Sequence, residues 1–351
     1  MNFKPKIVVI VGPTSSGKSD LAVMLAKKFG GEVISADSRQ VYRGMNIGTG
    51  KITAEEMRGI PHHLLDVASP KKVYTVARYK HDAQNALKTI LGRKKLPIIC
   101  GGTGFYVSAL VDDLMLPDVK PDLPFRKRLE KKTALELFAL LKKLDPKRAK
   151  TIDAKNPRRL IRAIEIAYTL GKVPAISKHS LYDTLFIGIV VPKKILKTRI
   201  SKRLFKRVKN GMSDEVAALH QSGVSWKRME DLGLEYRYCS RYLRKIIDKK
   251  TLLFRLETAI WKYAKRQMTW FKRNKNIHWV ALDDINGAEK LMRSFLGNRA
   301  LSEACPRHRS DVEKAHSKHP EEPRKKTRYS FVAGKTGPSF VGTNSGGSTK
   351  R

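Results

Sequence analysis

Gly12-Pro13-Thr14-Ser15-Ser16-Gly17-Lys18-Ser19 constrains this chain more than any other stretch. It reads G-x-x-x-x-G-K-S. The apolar run Ile7-Val8-Val9-Ile10-Val11 precedes it, and a helical pattern from Asp20 to Phe29 comes after it, with Leu21, Met24, Leu25 and Phe29 as its apolar positions. Strand, glycine-rich loop and helix in that order are the setting of a phosphate-cradling loop. The glycines let the backbone curl until its N–H groups converge on phosphate oxygens, and the helix N-terminus adds partial positive charge. Lys18 can reach a terminal phosphate, and the Ser19 hydroxyl can ligate Mg²⁺. Which phosphorylated molecule is held, the loop does not say.

Two later stretches belong in the same crevice, because open α/β sheets place ligands beyond the carboxyl ends of their strands. The strand candidate Glu32 to Ala36 runs into Asp37-Ser38-Arg39-Gln40-Val41-Tyr42. Asp37 can be a magnesium ligand, a general base or a cap for the next turn. The strand candidate Leu96 to Cys100 runs into Gly101-Gly102-Thr103-Gly104-Phe105-Tyr106. Glycines there permit close backbone approach to a ligand, and Thr103 is either presented beside Asp37 or caps the next helix. The pair His62-His63 points to opposite sides of a strand, which makes a poor metal site and a structural role.

Further along, Tyr74 to Leu91 reads as a helix, Asp112 to Leu123 as a linker, and Phe125 to Thr169 as basic and helical with a break at Asp153 to Pro157. Pro157 suits the first turn of a helix carrying Arg158, Arg159 and Arg162. Thr184 to Val191 is a strand. The next helix sets Arg199, Arg203 and Arg207 on one stripe, where a guanidinium facing the phosphate loop would clamp a pyrophosphate bidentately. It stops at Asn210-Gly211. A helix over Ser213 to Gln221 is next, then Gly233-Leu234-Glu235-Tyr236-Arg237 as a loop or helix start. A long helix spans Thr251 to Arg273, with Leu253, Leu256, Ile260 and Tyr263 on one side, and Ile277 to Leu282 is a last strand before a short helix.

Charge narrows the partners. Lys and Arg number 72 against 32 Asp and Glu, a formal net charge of +40. Such an excess attracts a polyanion, and nucleic acid is the default. No apolar run reaches membrane-spanning length. Cys100, Cys239 and Cys305 are scattered and odd in number, and the N-terminus carries no cleavage signal, so a reducing cytoplasm is expected. From Leu301 to Arg351 Ser, Gly, Lys, Arg and Pro dominate and periodicity is lost, as in a disordered basic tail, with clusters such as Arg324-Lys325-Lys326.

Three functions suit these features: a P-loop small-molecule or nucleotide kinase, a non-catalytic RNA binder, or an enzyme that uses the loop for a diphosphate leaving group. The phosphate loop, Asp37 to Met45, Pro61 to Asp66, Gly101 to Tyr106, Asn156 to Arg159 and Ala264-Lys265-Arg266-Gln267-Met268-Thr269-Trp270-Phe271 together resemble the tRNA dimethylallyltransferase family over about residues 5 to 296. The resemblance implies an α/β fold: a P-loop, nucleotide-kinase-like parallel sheet flanked by helices, with a mainly helical insertion and a disordered C-terminal tail. Residues 1–112 would form the first part of the core, 113–182 the insertion that embraces tRNA, 183–299 the second part and 300–351 the tail.

It also implies transfer of a dimethylallyl group from dimethylallyl diphosphate to N6 of adenine 37 in the anticodon stem-loop, by a monomer off the membrane. By that carry-over Asp37 is the general base, Thr103 contacts the adenine, and Lys18 and Arg203 complete the catalytic set. Gly12, Pro13, Thr14, Ser15, Ser16, Gly17, Lys18 and Ser19 bind diphosphate, Ser19 holds Mg²⁺, and Arg203 or Arg199 clamps the leaving group. Asp37, Ser38, Arg39, Gln40, Thr103, Arg126, Pro157, Arg158, Arg159, Leu160 and Ile161 touch tRNA. The chain departs from the family at Asn46, where Asp is common, at Gly50-Lys51-Ile52 in place of Ala-Lys-Pro, and at Gly233-Leu234-Glu235-Tyr236-Arg237 in place of a Gly-Tyr pair.

Overall fold

Five of the six residues of the first strand are fully buried, as a central strand covered on both faces requires. The computed structural model describes residues 4–297 apart from 176, 178 and 180. In order these form β1 (Lys6–Val11), α1 (Lys18–Phe29), β2 (Gly31–Ser35), α2 (Ala54–Met57), β3 (His62–His63), α3 (Val76–Gly92), β4 (Leu96–Gly101), α4 (Gly104–Val111), α5 (Leu123–Leu129), α6 (Ala134–Leu144), α7 (Pro146–Ala149), α8 (Pro157–Leu170), β5 (Asp183–Val190), α9 (Lys193–Lys209), α10 (Met212–Gln221), α11 (Trp226–Leu232), α12 (Leu234–Leu243), α13 (Lys249–Phe271), β6 (Ile277–Ala281) and α14 (Ile285–Leu296).

The strands make one sheet in the order β3-β2-β4-β1-β5-β6, and every neighbouring pair is parallel. This is the P-loop architecture expected from the sequence. Register sets where the strands end. Ser35 and Ile10 both pair with Cys100, and Val11 pairs with Gly101. The carboxyl ends of β2, β4 and β1 therefore finish level and side by side, so the three loops that leave them open onto one edge.

Helices α5 to α8 enclose a second, smaller core of Leu129, Leu137, Leu141, Ala149, Leu160, Ile161, Ala163 and Ile164. Local chemistry fixes its ends. Thr133 and Glu136 form a capping box, and Asn156 caps α8 with Pro157 in its first turn. Glu165 is almost fully buried and receives Arg126 through two hydrogen bonds of 2.8 and 2.6 Å, Arg162 at 2.5 Å and the Asp122 N–H at 2.8 Å. Burial works against that carboxylate, but the two guanidiniums outweigh it and hold its pKa below the usual value.

The sequence expectations match most elements to within about two residues. The basic helical stretch over Phe125 to Thr169 resolves into four helices, and its expected break at Asp153 to Pro157 falls between α7 and α8. The stretch read as a loop or helix start at Gly233 is the sharp joint between α11, which had no expectation of its own, and α12, which starts at Leu234. His62 and His63 are structural: His63 Nε2 lies 2.7 Å from Glu32 Oε2, and His62 Nδ1 2.8 Å from the Ile60 carbonyl. The tail, with Arg324-Lys325-Lys326, lies outside the described residues.

Candidate active site

A cavity of about 350 Å³ opens at the level edge of β2, β4 and β1. Thr14, Lys18 and Ser19 line it from the phosphate loop, Asp37, Ser38, Arg39 and Gln40 from the loop after β2, and Cys100 and Gly101 from the end of β4. Arg203 and Arg207 enter from α9, and Tyr263, Arg266 and Gln267 from α13. A larger cavity of about 1020 Å³ lies elsewhere, among Phe105, Trp270, Phe186 and Lys275, and shares none of these residues.

The phosphate loop turns through left-handed backbone at Ser15 (φ 64°) and Gly17 (φ 86°) to reach the N-terminus of α1. Lys18 is half-buried there, its Nζ 3.4 Å from the Pro13 carbonyl, and desolvation lowers its pKa. Arg199 comes up on the outer side of the same loop: a Cβ placed on Gly17 would lie 3.8 Å from its Nη1.

Asp37 Oδ1 accepts the Arg39 N–H at 2.8 Å and the Gln40 N–H at 3.4 Å, so the acid does cap the turn after it. That turn uses Oδ1 alone. Thr103 makes no cap hydrogen bond for α4. Its Oγ1 instead accepts the Ser38 N–H at 3.0 Å and donates to Ser38 Oγ at 3.3 Å, while its N–H donates to the Ala36 carbonyl at 3.1 Å. The hydroxyl is thereby fastened to the loop that carries Asp37.

The glycines around Thr103 make room for protein. A Cβ would meet the Ala36 carbonyl oxygen at 2.2 Å from Gly101, Gln267 Nε2 at 2.1 Å from Gly102 and Trp270 Cδ1 at 2.1 Å from Gly104. Gln267 fills its gap as a staple: Oε1 accepts the Thr14 N–H at 2.8 Å, and Nε2 donates to the Gly102 carbonyl at 2.9 Å. The phosphate loop and the glycine loop are thus tied together by one amide from α13.

Across the cavity, Arg203 donates to the Gly50 carbonyl at 3.1 Å, and Arg207 donates to the Gly48 carbonyl at 3.1 Å and to Glu235 Oε1 at 3.0 Å. Burial, then the neighbouring Arg207, pushes the Arg203 pKa down to about 10. The loop carrying Gly48 is anchored from behind. Glu215 accepts the Asn46, Ile47 and Gly48 N–H groups at 2.8, 2.6 and 3.1 Å and the Tyr236 hydroxyl at 2.8 Å. Asn46, one of the departures, still serves as an acceptor, for Lys51 Nζ at 2.9 Å.

The residues expected at a nucleic-acid face divide. Arg158 lines the cavity and donates to Asp231 at 2.5 Å, and Arg159 is exposed, 3.9 Å from Asp153. Arg126 is taken up by Glu165, and Leu160 and Ile161 are buried in the second core. Sequence reasoning gave no functional role to Tyr263, Gln267 or Glu235. Tyr263 had the spacing of a core face, Gln267 lay inside a quoted motif without a role, and Glu235 sat in a stretch marked only as a departure.

The comparisons with known proteins agree with one another. Residues 40–274 match the family model described as IPP transferase. A tRNA dimethylallyltransferase of Pelotomaculum thermopropionicum is 38% identical over 302 residues, 84% of this chain and 96% of that relative. A tRNA dimethylallyltransferase 1 of Porphyromonas gingivalis is 43% identical over 302 residues, 83% of this chain and 100% of that relative. Among solved structures, a full-length tRNA isopentenylpyrophosphate transferase from Bacillus halodurans superposes with a TM-score of 0.63 at 37% identity, over 86% of this chain and 98% of that one. A eukaryotic dimethylallyltransferase solved acting on tRNA superposes with a TM-score of 0.70 at 27% identity, over 86% of this chain and 80% of that one.

Proposed function

This chain belongs to the tRNA dimethylallyltransferase family, and from that premise we propose that it transfers the dimethylallyl group of dimethylallyl diphosphate to N6 of adenine 37 in the anticodon loop of tRNA. The observation that carries this reading is the single cavity that Lys18, Arg203 and Asp37 share, with Thr103 bonded to Ser38 on its wall.

Cations and an acid have complementary tasks in such a transfer. The adenine N6 lone pair attacks C1 of the allyl group, the C1–O bond breaks, and its electron pair leaves on pyrophosphate. Lys18, Arg203 and the backbone N–H groups at the N-terminus of α1 neutralise the charge that grows on the departing oxygen. Asp37 accepts the proton that N6 gives up. Thr103, fastened to Ser38, is placed to orient the base. A base inside a stack cannot reach this cavity, and a loop nucleotide leaves its stack at lower cost than one in a duplex.

Ser19 is suited to Mg²⁺, which prefers hydroxyl, water and phosphate oxygens to a cage of protein carboxylates. Such an ion would be held by Ser19 and the diphosphate together and would add positive charge at the leaving group. The exposed Arg159 and the cavity-lining Arg158 fit a face for the tRNA backbone, and a monomer suffices because one chain supplies every group named. No described helix is long and apolar enough to cross a membrane. The described cysteines, Cys100 and Cys239, are free and buried, which fits a reducing cytoplasm.

The test incubates the protein with unmodified tRNA, Mg²⁺ and labelled dimethylallyl diphosphate, without ATP. Label should appear on adenosine with the mass of one dimethylallyl group. Transfer of the γ-phosphate of ATP to a small molecule, with no prenylation, would overturn the reading in favour of a kinase. Retention of tRNA with neither reaction would leave only a binding protein.

A further inference from the structure

Glu235 is a carboxylate among cations, and the proposed transfer gives it no task. It lies in the first turn of α12, directly after Gly233 (φ 74°, ψ −172°) and Leu234 (φ 41°). The first conformation is open essentially to glycine alone, and the second is costly for a residue with a side chain, so the surroundings hold this joint in place. The joint brings Glu235 Oε1 to 3.0 Å from Arg207 Nη1, with both side chains only 11% exposed.

The cation it meets is crowded. A Cβ on Gly50 would lie 1.8 Å from Arg207 Nη2 and 2.2 Å from Arg203 Nη2, so two guanidiniums from successive turns of α9 converge on one glycine. Like charges that close repel, and more strongly where water is excluded. Glu235 is a counter-charge in contact with Arg207 of this pair, and it lines the same cavity as Lys18 and Asp37.

Resting on the diphosphate reading of that cavity, we infer that Glu235 is a built-in stand-in for the diphosphate. It neutralises Arg207 and holds it against the Gly48 carbonyl before the donor arrives. Once a diphosphate is bound, it competes for the same guanidinium and so speeds pyrophosphate release. It is a positioning residue: it acts on the leaving group through Arg207.

The experiment measures binding of inorganic pyrophosphate with Mg²⁺ to the full chain by calorimetry, beside single- and multiple-turnover transfer to tRNA. Glu235→Gln keeps the shape and removes the charge. It should bind pyrophosphate about five- to tenfold more tightly than the wild type, as loss of one nearby like charge predicts. It should also show a burst of modified tRNA and then slower turnover. A residue that served only to hold the fold would move affinity the other way when replaced, so equal or weaker binding by Glu235→Gln, with the wild type binding normally, overturns the inference. Absence of pyrophosphate binding by the wild type would remove the diphosphate reading and the inference with it. Should Glu235→Gln fail to fold by circular dichroism, Glu235→Asp decides. Its carboxylate sits one methylene back from Arg207, so affinity should rise about two- to threefold, and an unchanged or lower affinity overturns the inference.

Discussion

Asp37 divides its work between two oxygens. Oδ1 is committed to the N–H groups of Arg39 and Gln40, which fixes the side chain, and a proton can be taken on the other. Asparagine preserves the fixing oxygen and lacks the base. Asp37→Asn should therefore lose about 10²- to 10⁴-fold in single-turnover transfer with tRNA affinity nearly intact, and Asp37→Ala should lose at least as much and loosen the loop. A large fall in tRNA binding with normal turnover would reverse the assignment. Lys18 sets a pH limit. Burial lowers its pKa from the ordinary 10.5, so its charge is lost at a lower pH than an exposed lysine's. On the proposed diphosphate reading the ligand needs the charged form, hence affinity should fall as pH rises through the lowered value. Lys18→Arg, which stays protonated, should shift that fall upward; superimposable pH profiles for the two proteins would remove Lys18 from the phosphate contact.

At the scale of elements, α13 braces the site, and Gln267 is where it does so. Gln267→Ala would strand the Thr14 N–H and the Gly102 carbonyl in a buried place. The expected cost is about 1–3 kcal/mol in urea unfolding, with weaker pyrophosphate binding because the two loops are no longer tied. Unchanged stability would mean that water replaces the amide without loss. The strands beneath these loops were legible in the sequence, since a parallel sheet covered on both faces writes itself as uninterrupted apolar runs such as Ile7 to Val11. The meaning of Gly102 and Gly104 was not. Their neighbours Gln267 and Trp270 come from a helix far along the chain, and close approach across such a separation leaves no local trace. Tyr263 was hidden for a related reason: a helix face that borders a cavity has the same spacing as one that borders a core. The helix start after Gly233 is one of two readings of that stretch, but α11 before it escaped, because a helix of only two turns leaves little apolar periodicity.

For the whole molecule, charge and topology make separate demands. Most of the +40 net charge lies on the chain before residue 301 rather than in residues 301–351. Deleting the tail should leave the transfer chemistry as it is and lower tRNA affinity most at low salt, with a shallower salt dependence; identical salt slopes with and without it would remove the tail from tRNA binding. Topology demands completeness. Thr14, Asp37, Cys100, Arg203, Glu235 and Gln267 reach one cavity from six separate stretches, the last of them on α13. A ribosome therefore finishes nearly the whole folded chain before any of it can act. A nascent polypeptide halted short of residue 267 carries the sequence of its phosphate loop without the amide that ties that loop to its neighbour, so an interrupted product should be inert instead of half-competent.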